Sequence, residues 1–136
     1  MIFNLFKSKP TLKEIISNGF VDIHSHILPG IDDGAKNIEE SLKIISQMKN
    51  LGFSKIIGTP HTYPGLYENT TKSIEESFMS INNKKPDKIK LGYASEYMID
   101  ISLLKKIHER DILTIKDNFV LLEFSFVSEP MILRKI

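Results

Sequence analysis

The spacing of apolar residues along the chain predicts helices and strands in alternation. Residues with helical periodicity predict helices over about 11–17, 37–51, 71–82 and 101–109. Short runs rich in apolar and β-branched residues predict strands over about 20–24, 55–59, 88–95 and 119–126. A strand, a helix and a second strand form a βαβ unit, which implies parallel pairing and a right-handed crossover. The expected fold class is therefore α/β, with about four parallel strands and intervening helices.

Capping residues set the expected ends of the helices. Thr11 and Asn37 each precede a helical pattern and have a glutamate three residues later, as in a capping box. Gly52 is expected to end the second helix, and Asp100 to cap the last one.

The first strand ends in the sequence His24-Ser25-His26. In an extended chain, alternate residues share a face, so Asp22 and the two histidines are expected on one face and Val21 and Ile23 in the packing.

The fourth strand is nearly all apolar, which predicts burial on both faces.

Polar residues suited to metal binding recur where the predicted strands end. Parallel strands place their carboxyl ends at one edge of the sheet, so these residues are expected to converge there. They are His24 and His26, the adjacent pair Asp32 and Asp33, His61, Glu96, and Glu123. His108 lies among charged residues of a predicted helix and is expected to be an ordinary surface histidine.

The composition of the chain excludes several classes of function. The chain has 136 residues, 18 Lys plus Arg, 17 Asp plus Glu and no cysteine. The near-zero net charge gives no support for nucleic-acid binding, and no apolar run reaches the ~18 residues of a membrane span. Without cysteine there are no disulfides, thiolate ligands or thiol nucleophile, which fits a cytoplasmic protein.

Imidazoles and carboxylates without sulfur suit Mn, Fe, Zn or Mg. The number of oxygen ligands favours a site with more than one metal ion. Paired metals commonly hydrolyse phosphate esters, because they lower the pKa of bound water and hold the phosphoryl oxygens. The residues therefore indicate a metal-dependent hydrolase, with a phosphate ester as the favoured substrate class.

Four segments resemble the PHP (polymerase and histidinol phosphatase) superfamily, and most closely its bacterial capsular and exopolysaccharide tyrosine phosphatases. Residues 21–34 resemble the opening motif of that family, and Thr59-Pro60-His61 its second motif. Ala94-Ser95-Glu96-Tyr97 is similar to its Gly-Ala-Glu-Tyr segment, and residues 121–125 to the strand that follows. The order and spacing of the four segments agree with the family over about residues 18–129.

The resemblance implies a distorted TIM-like barrel with up to three divalent metals, Mn first among them. It also implies a phosphotyrosine protein as substrate, namely a tyrosine autokinase that controls polysaccharide export. Under this resemblance the nucleophile is a metal-bound hydroxide rather than a side chain. The implied ligands are His24 and His26 for one metal, Asp33 in preference to Asp32 for another, His61, and Glu96 and Glu123 as ligands or bridges.

The chain also departs from the family pattern. A closed barrel usually needs ~200 residues or more, and the family's later histidine near an arginine and its Asp-x-His strand end are absent after Glu123. We therefore expect residues 1–17 to form an extension with a short helix. Residues 18–136 are expected to be the N-terminal half of a truncated PHP domain, with impaired activity.

Two other functions remain open at this point. One is a related enzyme that acts on a small phosphate ester. The two tyrosines of residues 62–69 either pack the loop or form a wall of the substrate pocket. In the second case they favour a peptide substrate over a small ester. The other is a non-catalytic half-barrel that binds a partner, or forms a homo-oligomer, through the open edge of its fourth strand.

Overall fold

A computed structural model describes residues 9–16 and 19–125. Within these residues the helices are α1 (Leu12–Ile15), α2 (Ile38–Leu51), α3 (Thr71–Asn82) and α4 (Ile101–Glu109). The strands are β1 (Phe20–Ser25), β2 (Phe53–Gly58), β3 (His61–Thr62), β4 (Lys90–Tyr93), β5 (Glu96–Met98) and β6 (Leu121–Glu123). The predicted helix residue Ser17, the predicted strand residue Phe126 and the tail 127–136 lie outside the described residues.

The four helices lie where the sequence predicts them, because their caps form. Asn37 accepts a hydrogen bond from the Glu40 amide at 2.9 Å, and α2 ends at Gly52, whose φ is 114°. Asp100 caps α4 by accepting from the amides of Ser102 and Leu103. Side-chain acceptors at the N-terminus satisfy amides that have no partner inside the helix.

The strands form two three-stranded parallel sheets, in the orders β1–β2–β4 and β3–β5–β6. The parallel pairing is confirmed, but the predicted count of four is wrong for the described residues, because the second and third strands each break in two. The breaks fall just before His61 and Glu96. Backbone bonds from Ala94 to Gly58 (2.9 Å) and from Glu96 to Pro60 (3.0 Å) join the two sheets.

The larger hydrophobic core lies between the first sheet, α2 and α3. It contains two residues of the loop that follows His26, and its buried members are Ile27, Leu28, Ile45, Ile56, Ile74, Phe78, Ile81 and Ile89. A smaller core of Tyr97, Ile99 and Leu103 lies between α4 and the second sheet. Burial of the loop residues holds the predicted loop 27–34 against the sheet.

The prediction that Val21 and Ile23 point into packing is wrong, since these residues are 46% and 52% exposed. Val21 pairs in register with Lys55, whereas the next residue pairs with Ile56, which packs into the helix-covered core. Alternate strand residues point to opposite faces, so Val21 lies on the face opposite the helices. The described residues leave that side chain largely uncovered.

The prediction that the fourth strand is buried on both faces is also wrong. β6 pairs only with β5 among the described strands, and its three residues are half-buried. Phe119 and Phe124, which flank it, are 67% and 54% exposed. An edge strand with one neighbour leaves part of its apolar surface open. The described strands form no closed barrel.

No helix among the described residues combines the length and the apolar character needed to cross a lipid bilayer.

Gly34 allows the loop after β1 to fold back onto the strand end. A Cβ built on Gly34 would overlap the carbonyl oxygen and the Cβ of His26. The neighbouring Ala35 amide donates to that same carbonyl at 3.0 Å. The loop can therefore approach His26 this closely only because residue 34 has no side chain.

Replacing Gly34 with alanine is expected to lower the free energy of unfolding by about 1–3 kcal/mol, because the new methyl group overpacks the loop. Urea unfolding followed by circular dichroism measures the change. Gly92→Ala is the matched control, since the nearest atom to its Cβ would be Lys55 Cε at 3.5 Å. Equal destabilisation by the two substitutions would contradict the role given to Gly34.

Candidate metal centre

Six of the seven residues expected at the sheet edge are brought together in one cluster, and the seventh, Asp32, lies against His26. β1 delivers His24 and, one residue beyond its end, His26. His61 and Glu96 begin β3 and β5 and face each other in register, and Glu123 ends β6 opposite Met98. The breaks in the second and third strands therefore occur directly before two of the candidate ligands.

Glu96 lies at the centre of the cluster, and its side chain is buried. One carboxylate oxygen is 3.2 Å from His24 Nε2. The other is 3.5 Å from His26 Nε2 and 3.1 Å from His61 Nδ1. A single carboxylate thus contacts all three histidines.

Two buried atoms at this centre make no hydrogen bond to any described residue. They are His61 Nδ1 and Glu96 Oε2, which lie 3.1 Å apart without hydrogen-bond geometry. Buried polar atoms in folded proteins almost always have a partner, because losing water without replacement costs about 1–3 kcal/mol. A nitrogen and a carboxylate oxygen left in this way fit a shared cation.

Asp33 and Glu123 extend the cluster on either side of His61. Asp33 Oδ1 is 3.6 Å from His61 Nε2, and Glu123 Oε2 is 3.2 Å from His61 Nδ1. The donor atoms form three overlapping groups, each within 4.8 Å: His24, His26 and Glu96; His26, Asp33 and His61; His61, Glu96 and Glu123. Nitrogen and oxygen donors without sulfur suit hard or borderline divalent cations.

Asp32 has a supporting role that the sequence did not reveal. Its side chain is fully buried, and Oδ2 lies 2.7 Å from His26 Nδ1. It also accepts hydrogen bonds from the amides of Gly34 and His61, at 3.0 and 3.2 Å. A carboxylate on one ring nitrogen fixes the imidazole and leaves the other nitrogen for a metal.

The contact between His26 and Asp32 shifts both pKa values. The hydrogen bond that His26 donates to the Asp32 carboxylate raises the pKa of His26 above its usual value, and burial opposes this effect. Burial alone would raise the pKa of Asp32, but hydrogen bonds from His26 and the Gly34 amide outweigh it and lower that pKa. The charged pair is therefore favoured in the protein without metal.

Asp22 and His108 lie apart from these contacts. The register of β1 shifts between Asp22 and Ser25, so strict alternation is lost there, and Asp22 instead accepts a hydrogen bond from the His24 amide at 3.1 Å. His108 is exposed on α4, as predicted.

The turn between Tyr63 and Tyr67, here called the aromatic turn, borders the cluster. The Tyr67 ring stacks on the His61 ring, with 5.4 Å between centroids and 14° between planes. Burial, followed by the negative charges of Asp33 and Asp32, raises the pKa of Tyr67. The structure thus favours the alternative that the 62–69 loop lines the site over the interpretation that its tyrosines only pack the loop.

Asn69 joins this turn to the loop after β1 that carries Asp32 and Asp33, here called the carboxylate loop. Its side-chain amide donates to the carbonyls of Ile31 and His61, at 2.8 Å each. The sequence marked Asn69 only as a loop residue, because an asparagine that bridges two distant carbonyls has no local signature.

In metal-free protein, Asp32→Asn is expected to lower the pKa of His26, because the favourable charge is lost. NMR titration of the imidazole protons in EDTA measures this, with His108 as an internal reference. Asp87→Asn, an exposed carboxylate on the α3–β4 connection, should leave the pKa of His26 unchanged. An unchanged value in Asp32→Asn would contradict the assignment.

The same pair predicts a pH window for stability without metal. A raised histidine pKa gives stability that is full below the unfolded value of about 6.5 and is lost as pH rises through the folded pKa. A lowered aspartate pKa gives stability present above the unfolded value of about 3.9 and lost as pH falls through the folded pKa. The pair therefore stabilises the fold mainly between about pH 4 and 6.5.

The sequence is similar to that of tyrosine phosphatases from several bacteria. It is 31% identical over 109 residues to tyrosine-protein phosphatase CpsB of Streptococcus pneumoniae, covering 77% of this chain and 45% of that protein. It is 30% identical over 114 residues to tyrosine-protein phosphatase YwqE of Bacillus subtilis strain 168, covering 81% and 45%. The chain thus spans about half the length of the relatives it matches.

The fold is similar to a solved structure as well. A chain from the crystal structures of YwqE from B. subtilis and CpsB from S. pneumoniae, described as unique metal-dependent tyrosine phosphatases, superposes with a TM-score of 0.76 at 28% identity. The match covers 85% of this chain and 49% of that one. Residues 20–135 match the family described as capsular polysaccharide synthesis, CpsB/CapC, and the chain belongs to this family.

Proposed function

We propose that this chain carries a divalent-metal site of a protein-tyrosine phosphatase. The observation that carries the proposal is the buried pair His61 Nδ1 and Glu96 Oε2 at the centre of a histidine and carboxylate cluster. Neither atom has a hydrogen-bond partner within the part of the chain that the structure describes. The similarity to proteins named tyrosine-protein phosphatase supports the reaction class. Family membership supports a link to capsule synthesis.

The three donor groups suggest how metals would be held. His24, His26 and Glu96 would hold one ion, and His61, Glu96 and Glu123 a second. Asp33, with His26 and His61, forms the third group. His26, His61 and Glu96 each belong to two of these groups. Of the three, Glu96 has two carboxylate oxygens, so it would be suited to bridge neighbouring ions. Asp32 would orient His26 from behind.

A bound divalent metal supplies a Lewis acid that polarises a phosphoryl oxygen and lowers the pKa of water. The chain's own residues set the charge and the orientation. The carboxylates of Asp33, Glu96 and Glu123 would repel a phosphate group unless cations neutralised them. The chain contains no cysteine, so it contributes no thiol nucleophile.

Finer parts of the proposal rest on the family resemblance. They are a TIM-like PHP barrel in the complete enzyme, three metal ions with Mn first among them, and a bacterial tyrosine autokinase as phosphotyrosine substrate in the cytoplasm. The aromatic turn beside the cluster supports a phosphotyrosine substrate over a small aliphatic ester.

Metal binding tests the site directly. Calorimetric titration of EDTA-treated protein with Mn²⁺ is expected to show binding that weakens tenfold or more in His61→Ala and in Glu96→Gln, since each removes a shared ligand. His108→Ala is the matched control, because His108 is an exposed histidine outside the cluster. Equal weakening by all three substitutions, or no Mn²⁺ binding by the unsubstituted chain, would contradict the proposed site.

Turnover of p-nitrophenyl phosphate by the Mn²⁺-loaded chain tests the reaction separately. We expect weak metal-dependent turnover that is lost in His61→Ala and retained in His108→Ala. Metal binding without turnover would support the site but contradict phosphatase activity in this chain.

A further inference from the structure

A cavity of about 260 Å³ opens beside the candidate metal centre. One end is formed by Asp33, His61 and Glu123, which belong to the cluster. The other residues that line it are Tyr63, Leu66, Tyr67, Met98 and Ser125. The cavity therefore joins a polar, ligand-bearing end to a wall that is mainly apolar and aromatic.

The aromatic wall is held by a tight turn. The Leu66 amide donates to the Tyr63 carbonyl at 3.0 Å, and Gly65 has a φ of 80°. Proline followed by a glycine with positive φ is typical of a type II turn. Tyr63 and Tyr67 also exchange two backbone hydrogen bonds, at 2.9 and 2.8 Å.

Two contacts hold Tyr67 and its turn against the candidate metal centre. The Tyr67 ring stacks on His61, and the Asn69 side chain ties the base of the turn to the His61 carbonyl. The ring is thus fixed to the metal-binding side of the molecule. Leu66, at the tip of the turn, remains largely exposed at the rim.

We infer that this cavity holds the aromatic ring of an aryl phosphate monoester and that Tyr67 is a specificity-determining residue for that ring. The inference rests on the proposed function, because the phosphate would bind at the metal end. An aryl ring beside Tyr67 and Met98 gains aromatic and sulfur contacts. A phosphate on a short aliphatic side chain has no group that reaches this wall.

The test uses ligands that cannot be hydrolysed. Benzylphosphonate carries a ring and a phosphonate, and methylphosphonate carries only the phosphonate. Calorimetric titration of the Mn²⁺-loaded chain is expected to give about three- to tenfold tighter binding of benzylphosphonate, a difference typical of one aromatic contact.

The variants separate ring recognition from general damage. Tyr67→Ala should remove the preference for benzylphosphonate and leave methylphosphonate binding within about twofold, whereas Tyr67→Phe should retain the preference. Met79→Ala, an exposed residue on the opposite side of α3 from its buried face, is the matched control. Mn²⁺ affinity is measured for each variant to establish that the metal site is intact.

The outcomes distinguish this inference from the proposed function. Equal binding of the two phosphonates, or a Tyr67→Ala variant that weakens both equally, would overturn the role of Tyr67 and leave the metal site standing. A chain that binds neither Mn²⁺ nor methylphosphonate would overturn the proposed function together with the inference.

Discussion

The buried carboxylate of Glu96 is the group on which the sheet edge depends. A carboxylate removed from water is costly unless charges or hydrogen bonds compensate it. Three histidines surround Glu96, two from the end of β1 and one from β3, so β1, β3 and β5 must keep their relative register for the site to exist. The register pair of His61 and Glu96 supplies the shortest of these contacts.

The loop between β1 and α2 is held in place from both sides. Leu28 packs where Gly58 on β2 leaves room, since a Cβ there would lie 2.7 Å from Leu28 Cγ. On the other side, Asp32 binds His26 and two backbone amides. Apolar burial therefore fixes the position of the loop, and the buried carboxylate fixes the orientation of the imidazole. Asp33 is left pointing toward the cluster with an exposed side chain.

The sequence predicted the helices and the convergence of the six candidate ligands well, because both follow from local rules. Asn37, Asp100 and Gly52 signal helix ends by their own chemistry, and parallel strands deliver their final residues to one edge. The breaks before His61 and Glu96 depend on pairing with distant strands, which no short segment encodes. Likewise, Asp32 and Asp33 are adjacent and chemically identical, so only the folded loop separates the supporting residue from the candidate ligand. The exposure of Val21 was missed because strand alternation does not reveal which face the helices cover.

Asn69 has a mechanical consequence for how a ligand could enter the site. Its two amide hydrogens bind carbonyls from two separate segments, one in the carboxylate loop and one at the start of β3. Separating the two segments would break at least one of these bonds in a partly buried position. The Leu66 side chain at the tip of the turn is largely exposed, so displacing it would cost less packing than displacing the segments that Asn69 joins.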